Sequence, residues 1–136
     1  TPALNDDEIL TNIRITPWLG SHGFCFIEFA RREGDFAIVA VAVLIAITDH
    51  VISKASIALG GVAAGPVRLY DVEQLIKGQS PGHELFKEAG QLAKNIEAMS
   101  DINFSGVYRK RLSGGLTERA LHDAVAQFRR EHEEDE

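Results

Sequence analysis

Five histidines, one cysteine and a knot of charged residues are the groups in this 136-residue chain best able to do chemistry. The histidines are His22, His50, His83, His122 and His132. No two of them stand four apart, the spacing that sets two imidazoles on one helix face around a metal ion. Each therefore reads as a surface or turn residue. Cys25 lies in an apolar run, where a thiol behaves as a small buried hydrophobe, and no base stands near it in sequence to activate it. A lone cysteine forms no intrachain disulfide and cannot supply the several ligands of an iron–sulfur cluster or a structural zinc. Any metal redox centre is thus expected on another chain. The glycines of Gly60-Gly61 and Gly65-Pro66 fit neither the dinucleotide fingerprint nor a Walker-type loop, and a turn between a strand and a helix accounts for them. Glu28, Glu33 and Asp35 stand close to Arg31 and Arg32. General acid–base chemistry is conceivable there, but a charged strand end is the commoner arrangement.

One segment is more particular than the rest. Between Phe24 and Val43 the chain places aromatics, a turn of mixed charge and a fully apolar strand within about twenty residues. That composition describes a loop held at a sheet edge beside something flat or charged. It names no ligand.

The elements that must hold this segment are legible in the hydrophobic pattern. Glu8 to Ile15 alternates Ile9, Thr11, Ile13 and Ile15 against Leu10, Asn12 and Arg14, the period of a strand with one buried face. Phe24 to Phe29 reads as a second strand. Phe36 to Ile47 reads as a third, apolar on both faces, with valine and isoleucine on one parity and mainly alanine on the other. Such a strand lies centrally or is covered twice, and the alanine face leaves room for a helix to approach. Thr48-Asp49-His50 reads as a turn into a returning strand from Val51 to Leu59, closing a hairpin. The second half is helical in period. Leu69, Val72, Leu75 and Ile76 form one stripe, with Gly78 placed as a C-cap. Ser80 reads as the N-cap of the next helix with Pro81 at its first position, and Leu85, Ala89, Leu92, Ala93 and Ile96 form its stripe. Leu112, Leu116, Ala120, Leu121, Ala124 and Phe128 define a last helical region, which Gly114-Gly115 should weaken or break. Strands first and helices second predict an α+β sandwich: an antiparallel sheet of three to four strands against about three helices. Residues 1–128 form the expected domain, and 129–136 a charged solvated tail.

Composition narrows the function further. A net charge of −6 and a pI near 5.3 argue against nucleic acid as the main partner, because phosphate binding wants a concentrated basic face. The longest apolar run, residues 36–47, is too short for a membrane span of about 20 residues. No secretory pattern opens the chain, so a cytoplasmic location is expected, in keeping with the single free thiol.

The central segment also carries a resemblance. Gly23-Phe24, then Glu28-Phe29-Ala30-Arg31-Arg32-Glu33-Gly34-Asp35-Phe36-Ala37 and the strand from Ile38 to Val43, resemble the EFARR-x-GDFA segment of the medium subunits of molybdenum hydroxylases. That family includes carbon monoxide dehydrogenase, xanthine dehydrogenase and bacterial dehydrogenases of N-heterocycles. Three further stretches agree in order. These are Asp7 to Leu10 with Ile13-Arg14-Ile15; Ala58 to Val62 with Pro66-Val67-Arg68 and Val72-Glu73; and Asp101-Ile102 with Tyr108-Arg109 and Arg119-Ala120-Leu121.

The resemblance implies an α+β domain at the C-terminal end of an FAD-carrying subunit. The expected partners are an FAD-binding N-terminal domain, an iron–sulfur small subunit and a molybdenum large subunit. Most FAD contacts would belong to the N-terminal domain, so no cofactor is expected to bind tightly to this chain alone. The implied cofactor-facing residues are Glu28, Arg31, Arg32 and Phe36, with no catalytic or metal-ligating residue. Phe36 stands at the position for aromatic contact with the flavin ring, its alternative being a core aromatic at a strand start. Glu28 is acidic where relatives often carry a polar or basic residue. Arg31 and Arg32 either supply positive charge to the flavin or brace the loop against Glu33 and Asp35. The competing expectation is an assembly module of the same fold that binds no flavin.

Overall fold

The structure, a computed structural model, describes residues 3–133. Four strands and three helices follow one another: β1 (Gly23–Ala30), β2 (Ala37–Thr48), β3 (Val51–Gly60), β4 (Val67–Arg68), α1 (Tyr70–Ile76), α2 (His83–Ala93) and α3 (Gly106–Glu133). The strands form one antiparallel sheet in chain order, with the helices packed on a single face of it. This is the α+β architecture expected.

The doubly apolar strand β2 is central, as its pattern required. Its valine and isoleucine parity, Val39, Val41, Val43 and Ile45, is buried with Ile57 and Leu59 of β3. Phe86, Ala89 and Ala93 of α2, and Ala120, Leu121 and Ala124 of α3, close the core over them. The helices thus lie on the branched parity. The alanine parity faces the other way, where Ala42 is exposed beside Phe24, Phe26 and Glu28 of β1. Branched side chains fill the space under a helix better than alanine does, and that decides the side.

The hairpin between β2 and β3 turns through two residues, Asp49 (φ 51°) and His50 (φ 65°). Two consecutive positive φ values mark a type I′ turn, whose twist matches that of the flanking strands.

Several expected boundaries differ. Glu8 to Ile15 forms no strand, and Ile9, Ile13 and Ile15 are 86%, 78% and 83% exposed. Its alternation is real, but among the described residues no strand pairs with it, and an unpaired strand has no ladder to hold it. The fourth strand is instead the short β4, held against Ala58 and Leu59. The N-cap of α2 is Gly82, so Ser80 and Pro81 precede the helix. Gly78 adopts the left-handed conformation (φ 79°), yet its N–H donates to the Ile52 carbonyl of β3 rather than back into α1. Gly114 and Gly115 do not interrupt α3, which runs unbroken for 28 residues. The reason is packing. Gly114 is buried where α3 crosses α2 at Gly90, and each glycine lies close to the other's carbonyl oxygen. Close approach of two backbones replaces the propensity lost. Residues 129–133 continue α3, with Arg129, Arg130 and Glu131 exposed, and residues 134–136 lie outside the described chain.

Candidate functional site

The β1–β2 connection leads into a recess built from two distant parts of the chain. Its first wall is Arg31, Asp35, Phe36, Ala37 and Ile38, and its second is Asp101, Asn103, Phe104 and Arg109. The cavity measures about 210 Å³.

The second wall is rigid for identifiable reasons. The Asp101 carboxylate accepts the backbone N–H groups of Asn103 and Phe104, both at 2.8 Å, forming a tight Asx turn. Its other oxygen pairs with the Arg109 guanidinium. The two backbone donors, with Arg109 adding to them, hold the Asp101 carboxyl below its ordinary range. Ser105 caps α3 by accepting the Tyr108 N–H at 3.1 Å. Arg109 is only 4% exposed, and it donates to the carbonyls of Ile38 (2.6 Å) and Gly61 (2.5 Å). Gly61 has φ 78°, and a Cβ there would lie 2.7 Å from the Ile38 oxygen, so glycine is what lets the β3 end turn toward Arg109. One buried guanidinium therefore ties the start of α3, the start of β2 and the end of β3 together.

The first wall is open. Arg31 through Phe36 are all exposed, and the Phe36 ring is 96% exposed, so it is not a core aromatic. Asp35 accepts the Phe36 backbone N–H at 3.0 Å, which fixes the turn's exit into β2. The Arg31 guanidinium lies 5.4 Å from the Phe104 ring centroid, and that of Arg109 lies 5.8 Å from it. Both distances are within cation–π range. Among the described residues, no ion pair joins Arg31 or Arg32 to Glu33 or Asp35, so the loop is not braced that way.

Of the four residues singled out from the sequence, the structure brings Arg31 and Phe36 together at the recess. Arg32 is exposed on the same turn but does not line it. Glu28 lies opposite Ala40, on the open face of the sheet with Phe24 and Phe26. Asp101, Phe104 and Arg109 complete the recess, and sequence reasoning did not select them. Asp101-Ile102 and Tyr108-Arg109 were visible as a motif, but nothing local showed that they meet the β1–β2 turn.

Comparison with known proteins decides the family. The model of the CO dehydrogenase flavoprotein C-terminal domain matches residues 24–124. The chain belongs to that family. Its relatives include the nicotine 6-hydroxylase medium subunit of Paenarthrobacter nicotinovorans, 35% identical over 91% of this chain and 44% of its own length. Another is the caffeine dehydrogenase subunit beta of Pseudomonas sp. strain CBB1, 34% identical over 90% of this chain and 42% of its own length. Among solved structures, the carbon monoxide dehydrogenase of Hydrogenophaga pseudoflava superposes with a TM-score of 0.76 and 26% identity. That match covers 82% of this chain and 39% of the other. The chain thus spans less than half the length of the curated relatives it matches. Among the described residues, no helix is long and apolar enough to cross a membrane.

Proposed function

We propose that this chain is the C-terminal domain of the FAD-carrying medium subunit of a molybdenum hydroxylase complex, an oxidoreductase whose electrons pass from molybdenum through iron–sulfur clusters to the flavin. The observation that carries the reading is the family match across residues 24–124. The recess supports a specific division of labour. Small-molecule sites run to about 300–1,000 Å³. At about 210 Å³ this recess is too small to enclose a flavin, but it suits one wall of a site completed by a neighbouring domain. A ring facing it would meet the exposed face of Phe36 and the cation of Arg31.

FAD, when bound, supplies the electron-accepting ring. The chain's own residues supply a rigid aromatic border and one movable positive charge. Arg109 is paired with Asp101, and Asp35 adds a negative charge to the lining that, among the described residues, has no ion-pair partner. Positive charge at the mouth, which favours the reduced flavin, therefore rests on Arg31. Glu28 and Arg32, away from the lining, fit contacts with a neighbouring domain or subunit better than contacts with the ring. A reducing cytoplasm suits the free Cys25 thiol.

The test is reconstitution. The isolated chain should let FAD pass through a size-exclusion filter. Mixed with the FAD-binding N-terminal domain of a medium subunit, it should change the bound flavin's absorption and fluorescence, and both changes should shrink with Phe36→Ala. Stoichiometric FAD on the chain alone would refute the one-wall reading. A flavin spectrum indifferent to the chain's addition would instead favour an assembly module that touches no cofactor.

A further inference from the structure

The fold gathers a cluster that the sequence keeps apart. His83 opens α2, and Glu118 and His122 stand one turn apart on α3, the i, i+4 spacing that aims two side chains the same way. The α2–α3 packing brings one ligand atom from each residue within 4.8 Å of the other two. From this geometry we propose that His83, Glu118 and His122 form a binding site for a divalent first-row transition cation of the Zn²⁺ class. It is separate from the Arg31–Phe36 recess.

Donor chemistry selects the ion. Two imidazoles and one carboxylate are the ligands of Zn²⁺ and its neighbours, whereas Mg²⁺ and Ca²⁺ take oxygen-only shells. Three protein ligands leave a fourth tetrahedral position for water or one outside donor.

The geometry needs a small closure. Metal–ligand bonds of about 2.0–2.2 Å put tetrahedral ligands roughly 3.4 Å apart. His83 is exposed and Glu118 and His122 are half-buried, so side-chain rotation can draw the donors in without moving either helix. His122 is already oriented. Its ring packs edge-on against the fully buried Phe86 at 4.9 Å and stacks with His83 at 5.7 Å. Glu118 lies against Gly90, where a side chain would meet its Cβ at 3.2 Å and its Oε2 at 3.5 Å. The glycine at the helix crossing therefore also makes room for the carboxylate.

The surroundings are mixed in charge. Asp123 and Arg129 line the adjoining hollow, but Asp123 pairs with Arg119 on the same helix. The positive end of α2 opposes a cation at His83. Among the described residues, none of the three ligands is engaged in an ion pair, so no existing partner has to be displaced. A bound ion would pin the first turn of α2 to the middle of α3.

Titration of the tag-free chain with Zn²⁺ by calorimetry, and with Co²⁺ by visible absorption, tests this. One saturable equivalent is expected, with a tetrahedral-type Co²⁺ spectrum, and an excess of Mg²⁺ or Ca²⁺ should not compete. His83→Ala alters only an exposed side chain and is expected to leave the fold intact. It and Glu118→Gln should each weaken binding at least about tenfold, since loss of even an outer-shell partner costs roughly 10–100-fold. Absence of a saturable site would overturn the proposal. So would Zn²⁺ affinity unchanged in both variants, which would assign the metal to other histidines.

Discussion

Alanine at two adjacent glycines of α3 separates helix propensity from helix packing. Gly114 is buried at the α2 crossing and Gly115 is exposed. A methyl group at 114 would stand 2.7 Å from the Gly90 carbonyl oxygen and 2.6 Å from Lys94 Cε, while one at 115 meets nothing within 4 Å. The lysine chain can swing aside. The carbonyl can yield only if α2 moves. Overpacking of this kind costs roughly 1–3 kcal/mol, and alanine gains up to about 1 kcal/mol over glycine inside a helix. Gly115→Ala should therefore stabilise by about 0.5–1 kcal/mol, and Gly114→Ala should lose up to about 2 kcal/mol net. The propensity gain is common to both variants and cancels in their difference, leaving a packing cost of about 1–3 kcal/mol. Urea unfolding followed by far-ultraviolet circular dichroism measures it. With a slope of about 1–3 kcal/mol per molar, the two midpoints should differ on the order of 1 M. Coincident midpoints, or a Gly114→Ala protein more stable than the parent, would refute the claim that the two helices meet backbone to backbone.

Two other perturbations follow from the anchors of the fold. Glu73 is 6% exposed, and its carboxylate accepts the Ile57 N–H at 2.8 Å and the Arg68 guanidinium. Glu73→Ala leaves that buried donor unmatched and should cost about 1–3 kcal/mol in denaturant unfolding; a loss below about 0.5 kcal/mol would show that water replaces the carboxylate. Asp101 has its folded pKa lowered below the ordinary 3.8, so its contribution to stability is present above that value and is lost as the pH falls through the folded value. Asp101→Asn should therefore flatten the acid limb of the stability profile below about pH 4, and identical acid limbs in the two proteins would count against the Asx turn.

Much of the fold was legible because short-range rules governed it. The β2–β3 hairpin showed itself in two apolar runs separated by Asp49-His50. The turn sets the first pairs, Thr48 with Val51 and Ile47 with Ile52, before a bulge at Ser53 shifts the rest of the ladder by one residue. The stripes of α1, α2 and the second half of α3 fell where period 3.6 placed them. In the first half of α3, by contrast, Leu112 and Leu116 are half-buried and the buried line is Arg109, Ser113 and Thr117. The strand signal from Glu8 to Ile15 was equally clear and yet misled. Alternation states which face a strand would bury, not whether a partner strand is present to pair with it. Gly114-Gly115 misled in the opposite direction, because propensity is a local quantity and the α2 contact that overrides it is not.

The sequence by itself determined the α+β class, the central apolar strand, the family of the β1–β2 turn and the candidacy of Arg31 and Phe36. These depend on residue type and on spacing within a few turns or strand lengths, which a linear reading contains. Only the tertiary structure decided that Phe36 stands in the open, that Phe104 and Arg109 share a recess with Arg31, and that His83 meets Glu118 and His122. Those groups are far apart along the chain, and what joins them is the way three helices cover one face of a twisted sheet. That arrangement comes from side-chain volume and backbone contact at sites such as Gly90 and Gly114, where no local pattern announces the partner.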